Sequence, residues 1–377
     1  MSTQVSIDPL ELPLNIATPE SALRGTILHE VLHGLDVPVG TQKSLPPWLF
    51  YDERGTELFQ EITRLPEYYL TRTERDIFAA RGDEILSRAG SPLTVVELGS
   101  GTAAKTGLLL SAALRRQAEV LYQPIDVSPT ALDEAASALS SAIPGVTVRP
   151  QVANYITEDY RIERPKGCCI LALYIGSSIG NFSLPDAKSI LHKLRDHLST
   201  SGDALLLGVD LAPSCIKTVE LLLAAYDDSA GVTAAFNKNI LARLNRELEA
   251  NFDLDRFAHR VCWNAEESRI EMHLESLAAQ TVLIDGHRID FAAGETIHTE
   301  NSYKFTERSL VALIKDAGFG APQWFQDPQH YFAVALAYPG SAARFYRRRY
   351  SPLLPPVFDS STISRMRMPL SSALVMS

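Results

Sequence analysis

The chain has 377 residues, of which 46% are apolar and 21% charged, and its formal net charge is −10. This balance is typical of globular proteins, and the length predicts two domains or one large domain with insertions. The acidic charge argues against a nucleic-acid partner, which needs clustered Lys and Arg, and no stretch is long and apolar enough to predict a membrane span.

The four cysteines contain no C-x-x-C pair. We therefore expect reduced, mostly buried thiols and no metal site built on them. The first residues show neither a basic start with an apolar run nor a cleavage site, so no signal peptide is predicted. A cytoplasmic monomer that takes a small-molecule substrate, with no membrane partner, is the expectation.

The first half of the chain predicts alternating helices and strands. Helical spacing covers 21–35 and 71–88, with Thr71 or Thr73 as the candidate N-cap of the second helix. Strands are then predicted at 93–98, 120–127, 146–152, 169–174 and 204–209, and helices at 106–114, 130–139 and 187–198. This alternation is typical of an α/β fold, with helices on both faces of a parallel sheet.

The second half begins with a different pattern. Two helices, at 217–226 and 230–249, lead into alternating segments at 260–264, 269–276 and 281–284, which predict an antiparallel insertion. A helix at 307–317 and strands at 323–325 and 331–337 then complete the sheet, as in a class I methyltransferase. We expect one domain from 74–210 and 304–340, a second from 20–73 and 211–303, and a loosely held tail at 341–377.

A glycine turn follows the first strand of the predicted sheet. Gly99 and Gly101 remove Cβ atoms where a strand meets a helix N-terminus, so a ligand can approach the backbone closely. Asp126 ends the next strand, where its carboxylate can bind ribose hydroxyls. The turn also fits the dinucleotide form, but Asp126 lies 27 positions beyond Gly99 against roughly 20 in that fingerprint. Glu97, two residues before the turn, favours adenosylmethionine over NAD.

Several further blocks, in order and with similar spacing, resemble the histidine N-α-methyltransferases of ergothioneine biosynthesis and their fungal relatives. The resemblance spans roughly residues 22–338. It rests on FYDERG (50–55), LPEYY with TRTE (65–74), GSSIGN (176–181), GVDL (208–211), AYDD with FN (225–237), IEM (270–272) and TENS (299–302).

The resemblance implies a class I Rossmann-like fold with a second, α+β substrate-binding domain. Its adenosylmethionine contacts fall on Glu97, Gly99, Gly101, Lys105, Asp126, Asn154 and Tyr155. Family members usually carry Asp-Phe where this chain has Asn154 and Tyr155, so we expect Asn154 to meet the adenine amino group through its side-chain carbonyl.

The resemblance also implies the amino-acid site. Contacts to the ammonium and carboxylate fall on Tyr51, Tyr68, Gly176, Asn181 and Tyr226, among which Asn181, Tyr68 and Tyr226 orient the reacting amine. Contacts to the imidazole fall on Glu300, Ser302 and Met272, and His273, the next residue along the strand, is expected to face away. Methyl transfer is an in-line displacement that needs an unprotonated amine held about 3–3.5 Å from the methyl carbon. We therefore expect an uncharged pocket around the amine.

Five alternatives stay open on the sequence. The segment His29-Glu30-Val31-Leu32-His33 matches the helical zinc motif H-E-x-x-H, although an ordinary surface helix explains it more simply. Asp227 and Asp228 resemble a metal pair but equally suit helix termination and capping. The chain could also act on tryptophan, a tryptophan derivative or another aromatic amino acid, or bind a nucleoside without catalysis; an NAD-dependent oxidoreductase is the remote alternative.

Overall fold

A computed structural model describes residues 19–38, 40–101 and 103–340, with only the backbone described for residues 19–23. The predicted tail at 341–377 lies outside this range. The described helices are α1 (Pro19–Leu35), α2 (Glu53–Ile62), α3 (Tyr69–Arg88), α4 (Thr106–Leu114), α5 (Pro129–Ala142), α6 (Leu184–His197), α7 (Val219–Tyr226), α8 (Val232–Glu247) and α9 (Glu307–Asp316). None of these helices is long and apolar enough to cross a bilayer.

The larger sheet has eight strands in the order β13-β14-β7-β6-β2-β3-β4, with β5 also paired to β3. Strand β14 runs antiparallel to both neighbours, and the other pairings are parallel. Their bounds are β2 (Leu93–Leu98), β3 (Val120–Asp126), β4 (Val146–Val148), β5 (Gln151–Val152), β6 (Cys169–Tyr174), β7 (Ala204–Asp210), β13 (Gln323–Gln326) and β14 (Phe332–Ala337). This strand order confirms the class I methyltransferase fold.

The central strands are buried on both faces, which explains their continuous apolar runs. Alternate residues of β7 enter different cores: Leu206 packs with α3 and α4, whereas Leu205 and Leu207 pack with α6 and α9. Because β2, β3, β6 and β7 run parallel to one another, their carboxyl ends meet at one sheet edge. Ligands bind at this edge in open α/β folds.

A second layer is built around a four-stranded sheet in the order β1-β12-β9-β8 and a hairpin of β10 and β11. Helix α8 packs on β8 and β9, and α2 packs on α8. The strands are β1 (Lys43–Ser44), β8 (Phe257–Asn264), β9 (Arg269–Ser276), β10 (Gln280–Ile284), β11 (His287–Phe291) and β12 (Thr296–Tyr303). Antiparallel pairing of β8 with β9 and of β9 with β12 agrees with the predicted insertion.

Asp52 ties the N-terminal segment to this second layer. Its carboxylate accepts the Gly55 N–H at 2.7 Å, which caps α2, and also binds Asn239 at 2.8 Å and Arg246 at 2.5 Å on α8. These hydrogen bonds lower the pKa of Asp52 despite partial burial. The predicted helices covered 21–35 and 71–88 but not this segment, so both α2 and its anchor were missed.

Two smaller expectations were wrong. Helix α3 begins after Tyr68, and neither threonine caps it; the Thr73 hydroxyl instead donates to the Tyr69 carbonyl at 2.9 Å inside the helix. The cysteines are free, as expected, but not mostly buried: Cys215 and Cys262 are exposed, and the other two are half-buried. Cys262 is exposed because it pairs with Glu271 on the sheet face opposite the buried Met272.

Candidate active site

One cavity of about 600 Å³ lies between the larger sheet and the second layer. This volume is within the usual range for a site that takes small ligands. The cavity is lined by every residue that the resemblance assigned to a ligand: Tyr51, Tyr68, Glu97, Gly99, Gly101, Lys105, Asp126, Asn154, Tyr155, Gly176, Asn181, Tyr226, Met272, Glu300 and Ser302.

The glycine turn forms the sheet end of this cavity. Gly99 and Gly101 have φ values of +66° and +49°, which side chains disfavour. The two Asp126 carboxylate oxygens accept the N–H groups of Gly101 at 2.9 Å and Ser128 at 3.0 Å. Because each oxygen holds one backbone donor, lone pairs remain for two more hydrogen bonds. The turn is therefore braced by the same carboxylate that is available to a ligand.

Tyr155 and Asn154 flank the turn. The Tyr155 hydroxyl lies 3.3 Å from that of Tyr174, and burial raises the pKa of Tyr155 to about 12. The Asn154 side-chain carbonyl already accepts the Ile156 N–H at 3.1 Å. It keeps one lone pair for a ligand and offers its amide N–H groups as well.

Two buried carboxylates stabilise the strand ends behind the turn. Glu97 accepts hydrogen bonds from Thr106 at 2.7 Å and Tyr122 at 2.5 Å, yet burial raises its pKa to about 7. Glu74, on α3, pairs with Lys105 and accepts the Gly176 N–H at 2.9 and 3.0 Å. Sequence reasoning gave Glu74 no role; its place as the last residue of the TRTE block, on a buried helix face, was the available signal.

Aromatic residues form the opposite wall. Tyr68 and Tyr226 pack edge to face with ring centroids 6.1 Å apart, and Tyr51 packs on Phe59 and Phe236 at 6.0 and 6.1 Å. Burial raises the pKa of all three tyrosines well above 10, so the phenols are neutral. Within the described part of the chain, the Tyr51 and Tyr68 hydroxyls have no hydrogen-bond partner, which leaves both available to a ligand.

Asn181 and Glu300 meet in the centre of the cavity. Asn181 ends a short 3-10 helix, Ser178–Asn181, and its amide donates to the Glu300 carboxylate at 2.9 Å. A carboxylate this close departs from the expectation of an uncharged amine pocket. Burial, however, raises the pKa of Glu300 to about 8, so the group is mostly protonated near neutral pH when no ligand is bound.

Strand β12 presents its site residues at alternate positions. A register shift lies between His298 and Glu300, after which Glu300 and Ser302 share one face. On the neighbouring β9, Met272 is buried against the cavity, while His273 faces the other side and stacks on His298 with ring centroids 4.8 Å apart. The expected orientations of Met272 and His273 agree with this arrangement.

A buried ionic network lies directly behind Tyr226 and Ser302. Asp210, at the end of β7, pairs with Lys217 at 2.5 Å and with Lys304 at 3.0 Å, and all three side chains are inaccessible to solvent. Lys304 also donates to the Tyr226 and Ser302 hydroxyls, each at 2.8 Å. Sequence reasoning missed this network, although strand alternation places Lys304 on the face of Glu300 and Ser302.

The segments that suggested metal sites have other roles. His29 and His33 lie on an exposed face of α1, with ring centroids 6.4 Å apart, as a surface helix requires. Asp228 accepts the N–H groups of Val232 at 2.9 Å and Thr233 at 2.7 Å, so it caps the start of α8.

Among the described residues, Cys262, Glu271 and His273 lie close enough together to hold a metal ion. Glu271 is already engaged by Asn264 at 2.9 Å and Arg269 at 2.7 Å. Although burial opposes them, these hydrogen bonds lower its pKa to about 2. We therefore assign Glu271 to an ion pair with Arg269.

Comparison with known proteins agrees with this geometry. Residues 27–339 match the family described as histidine-specific, SAM-dependent methyltransferases. The histidine N-alpha-methyltransferases of Mycolicibacterium smegmatis and Mycobacterium tuberculosis are 45% and 42% identical over 78% and 79% of this chain, and over 90% and 91% of their own lengths. Ergothioneine biosynthesis protein 1 of Schizosaccharomyces pombe is 30% identical over 73% of this chain and 36% of its own length. The chain therefore belongs to the family of histidine-specific, S-adenosylmethionine-dependent methyltransferases.

Proposed function

We propose that the enzyme transfers methyl groups from S-adenosylmethionine to the α-amino nitrogen of L-histidine, giving N-methylated histidine up to the trimethylated betaine, as in ergothioneine biosynthesis. The observation that carries this proposal is that both half-sites share one cavity, in which a nucleoside-type turn faces a wall of phenols, an amide and a buried carboxyl. Two ligands can meet there with their reacting groups in contact.

The turn suits the methyl donor, which supplies an electrophilic methyl group on its sulfonium. Asp126 would bind the ribose hydroxyls, since both of its oxygens keep free lone pairs. Tyr155 and Asn154 would flank the adenine. The anionic form of Glu97, whose pKa is about 7, would bind the donor's ammonium group. Lys105 is neutralised by Glu74, so it leaves no net positive charge near the sulfonium.

The phenol wall suits the amine acceptor. Tyr68 and Tyr51 offer hydroxyls that no described residue engages, and Asn181 directs its carbonyl away from Glu300 because its N–H is already engaged. Neutral groups can orient an amine lone pair without stabilising the ammonium form, which cannot react. Glu300 and Ser302 would then contact the imidazole across Met272, Tyr226 would accept an N–H of the amine, and Gly176 would lie beside the carboxylate end.

The remaining parts of the proposal concern context. Segments 20–73 and 211–303 would form the substrate-binding domain, and 74–210 with 304–340 the donor-binding domain. Four cysteines without disulfides are typical of a reducing compartment, which supports a cytoplasmic location. We propose that the active unit is a monomer because residues of one chain line the whole cavity; light scattering of the purified enzyme tests this.

Incubation of the purified enzyme with S-adenosylmethionine and each of the twenty amino acids, followed by mass spectrometry, tests the reaction. We expect mass increments of whole methyl groups on histidine alone. Methylation of tryptophan or another aromatic amino acid in preference to histidine would reassign the substrate. Calorimetric titration with S-adenosylhomocysteine tests the donor site separately, and the absence of binding heat over a range of temperatures would remove the basis of the proposal.

A further inference from the structure

Lys304 has no role in the site as described so far, although it touches two of the residues that line it. Its ammonium group has three protons, and three acceptors surround it: Tyr226 Oη and Ser302 Oγ, each at 2.8 Å, and Asp210 Oδ2 at 3.0 Å. Each of the three Lys304 protons is therefore donated to one of these acceptors. Burial lowers the pKa of Lys304, and the direct ionic contact with Asp210 opposes that shift and favours the charged form.

The geometry leaves either hydroxyl able to donate to the other, and their acidities decide between them. Tyr226 Oη and Ser302 Oγ lie 2.8 Å apart, so one donates to the other. A phenol is the more acidic donor and an alcohol oxygen the better acceptor, so Tyr226 donates to Ser302. Ser302 then accepts two hydrogen bonds, from Tyr226 and Lys304, which fills both of its lone pairs. Its own proton is the single group that it can offer to a ligand.

From this proton count, and resting on the proposed function, we propose that Lys304 is a positioning residue that makes Ser302 an obligate hydrogen-bond donor, so that the site selects an aromatic ring with an unprotonated nitrogen. Imidazole in its neutral form carries one N–H, which Glu300 can accept, and one lone pair, which Ser302 can bind. A pyrrole or indole ring has no such lone pair, and an imidazolium ring has lost it.

Without Lys304, the constraint disappears. Ser302 would regain a free lone pair and could accept from a ring N–H as readily as it donates to a ring nitrogen. The variant Lys304→Met keeps the length and apolar stem of the side chain and removes only the ammonium group. Lys217 stays beside Asp210 in that variant, at 2.5 Å, so the carboxylate keeps a charged partner.

The kinetic test compares histidine with its pyrrole analogue, in which the unprotonated ring nitrogen is replaced by C–H. In the wild type we expect kcat/KM to favour histidine by at least about tenfold, because the analogue leaves the Ser302 proton unpaired. Lys304→Met should reduce that ratio by about tenfold, through a lower KM for the analogue, because Ser302 can then turn its proton toward Tyr226 instead of leaving it unpaired. Ser302→Ala should reduce it equally, and Lys304→Met added to Ser302→Ala should change it no further. An unchanged ratio in folded Lys304→Met would overturn the proposal.

A spectroscopic test needs no variant. Histidine labelled with ¹⁵N in the ring, bound to the wild-type enzyme with S-adenosylhomocysteine, should show one protonated and one unprotonated nitrogen. Two protonated nitrogens would refute the role given to Ser302 and Lys304, even in an enzyme that methylates histidine. Failure to methylate or bind histidine at all would instead count against the proposed function, so the two failures are distinguishable.

Discussion

Replacing Glu300 by alanine gives the sharpest test of how the substrate ring is recognised. A hydrogen bond to a charged group contributes about 1.5–3 kcal/mol. Because the pKa of Glu300 is about 8 in the free enzyme, ionising it at pH 7 costs about 1.4 kcal/mol. Subtracting this ionisation cost from the upper of the two hydrogen-bond figures leaves a net contribution of about 1.6 kcal/mol at pH 7, or roughly 15-fold in kcat/KM.

Glu300→Gln should lose about that factor, since a glutamine carbonyl still accepts the Asn181 N–H. Glu300→Ala should lose roughly 100-fold, because the Asn181 amide, 2.9 Å from the carboxylate, then also loses its anchor. Binding of S-adenosylhomocysteine, measured by calorimetry, should change by less than about twofold, because Glu300 lies on β12, away from the glycine turn. Glu266→Ala, at an exposed turn position, is the matched control and should leave both quantities unchanged.

The pH dependence of the loss in kcat/KM tests whether Glu300 acts as an anion. As pH rises from about 7 to about 8.5, the free carboxyl ionises, the cost of 1.4 kcal/mol disappears, and the gap between the wild type and Glu300→Gln should widen several-fold. Steady-state kinetics at a series of pH values measure this gap. A gap that is constant or narrows with pH, or an equal loss of donor binding in Glu300→Ala, would refute the reasoning.

Three further predictions concern the donor half of the cavity. Asp126→Ala removes the brace on Gly101 and should weaken S-adenosylhomocysteine binding roughly 10- to 100-fold in calorimetry. Donor affinity should rise about tenfold per pH unit below the Glu97 pKa of about 7 and level off above it, since only the anion attracts the donor's ammonium group; Glu97→Gln should flatten that profile. Gly208→Ala places a methyl group on the Glu74 carboxylate and should lower the free energy of unfolding by about 1–3 kcal/mol in denaturant melts.

Each of these variants has a matched control. Asp133→Ala removes an exposed carboxylate from α5 and should leave donor affinity intact. Gly25→Ala adds a methyl group to an exposed helical position, where no described atom outside its own helix backbone lies within 4 Å, and should stabilise the fold by up to about 1 kcal/mol. Destabilisation by Gly25→Ala comparable to that by Gly208→Ala would contradict the packing argument.

The sheet was predictable because its strands are buried on both faces. The bounds of β2, β6 and α4 in the structure equal those predicted from the sequence, since continuous apolar runs between glycine-marked turns leave few other folds. The second layer was harder to predict from the sequence. Strands β11 and β12 alternate polar and apolar residues and were missed, although Asp285-Gly286 is a hairpin turn signal ahead of β11. The two-residue β1 is defined only by its pairing with β12.

The cavity residues were predictable as a set, but their interactions were not. A family resemblance assigns positions to ligands, whereas proton sharing depends on distances that no motif encodes. The contact between Asn181 and Glu300 joins residues 119 positions apart, and Lys304 reaches Tyr226 across 78 positions. Burial decides the charge of Glu300, and burial follows from the packing of both layers.

The anchoring of the N-terminal segment has a consequence for biosynthesis. Gln42 donates a hydrogen bond to the carbonyl of Thr296, 254 positions later in the chain. Asp52 accepts one from Arg246, 194 positions later. At about 5–20 residues per second, the ribosome needs roughly 10–50 s to deliver these partners. During that interval the apolar face of α2, with Leu58 and Ile62, is without its native cover and is a natural target for chaperones. A nascent chain that ends before β12 lacks the wall that carries Glu300 and Ser302, so the amino-acid ligand cannot assist its folding until that strand has been made.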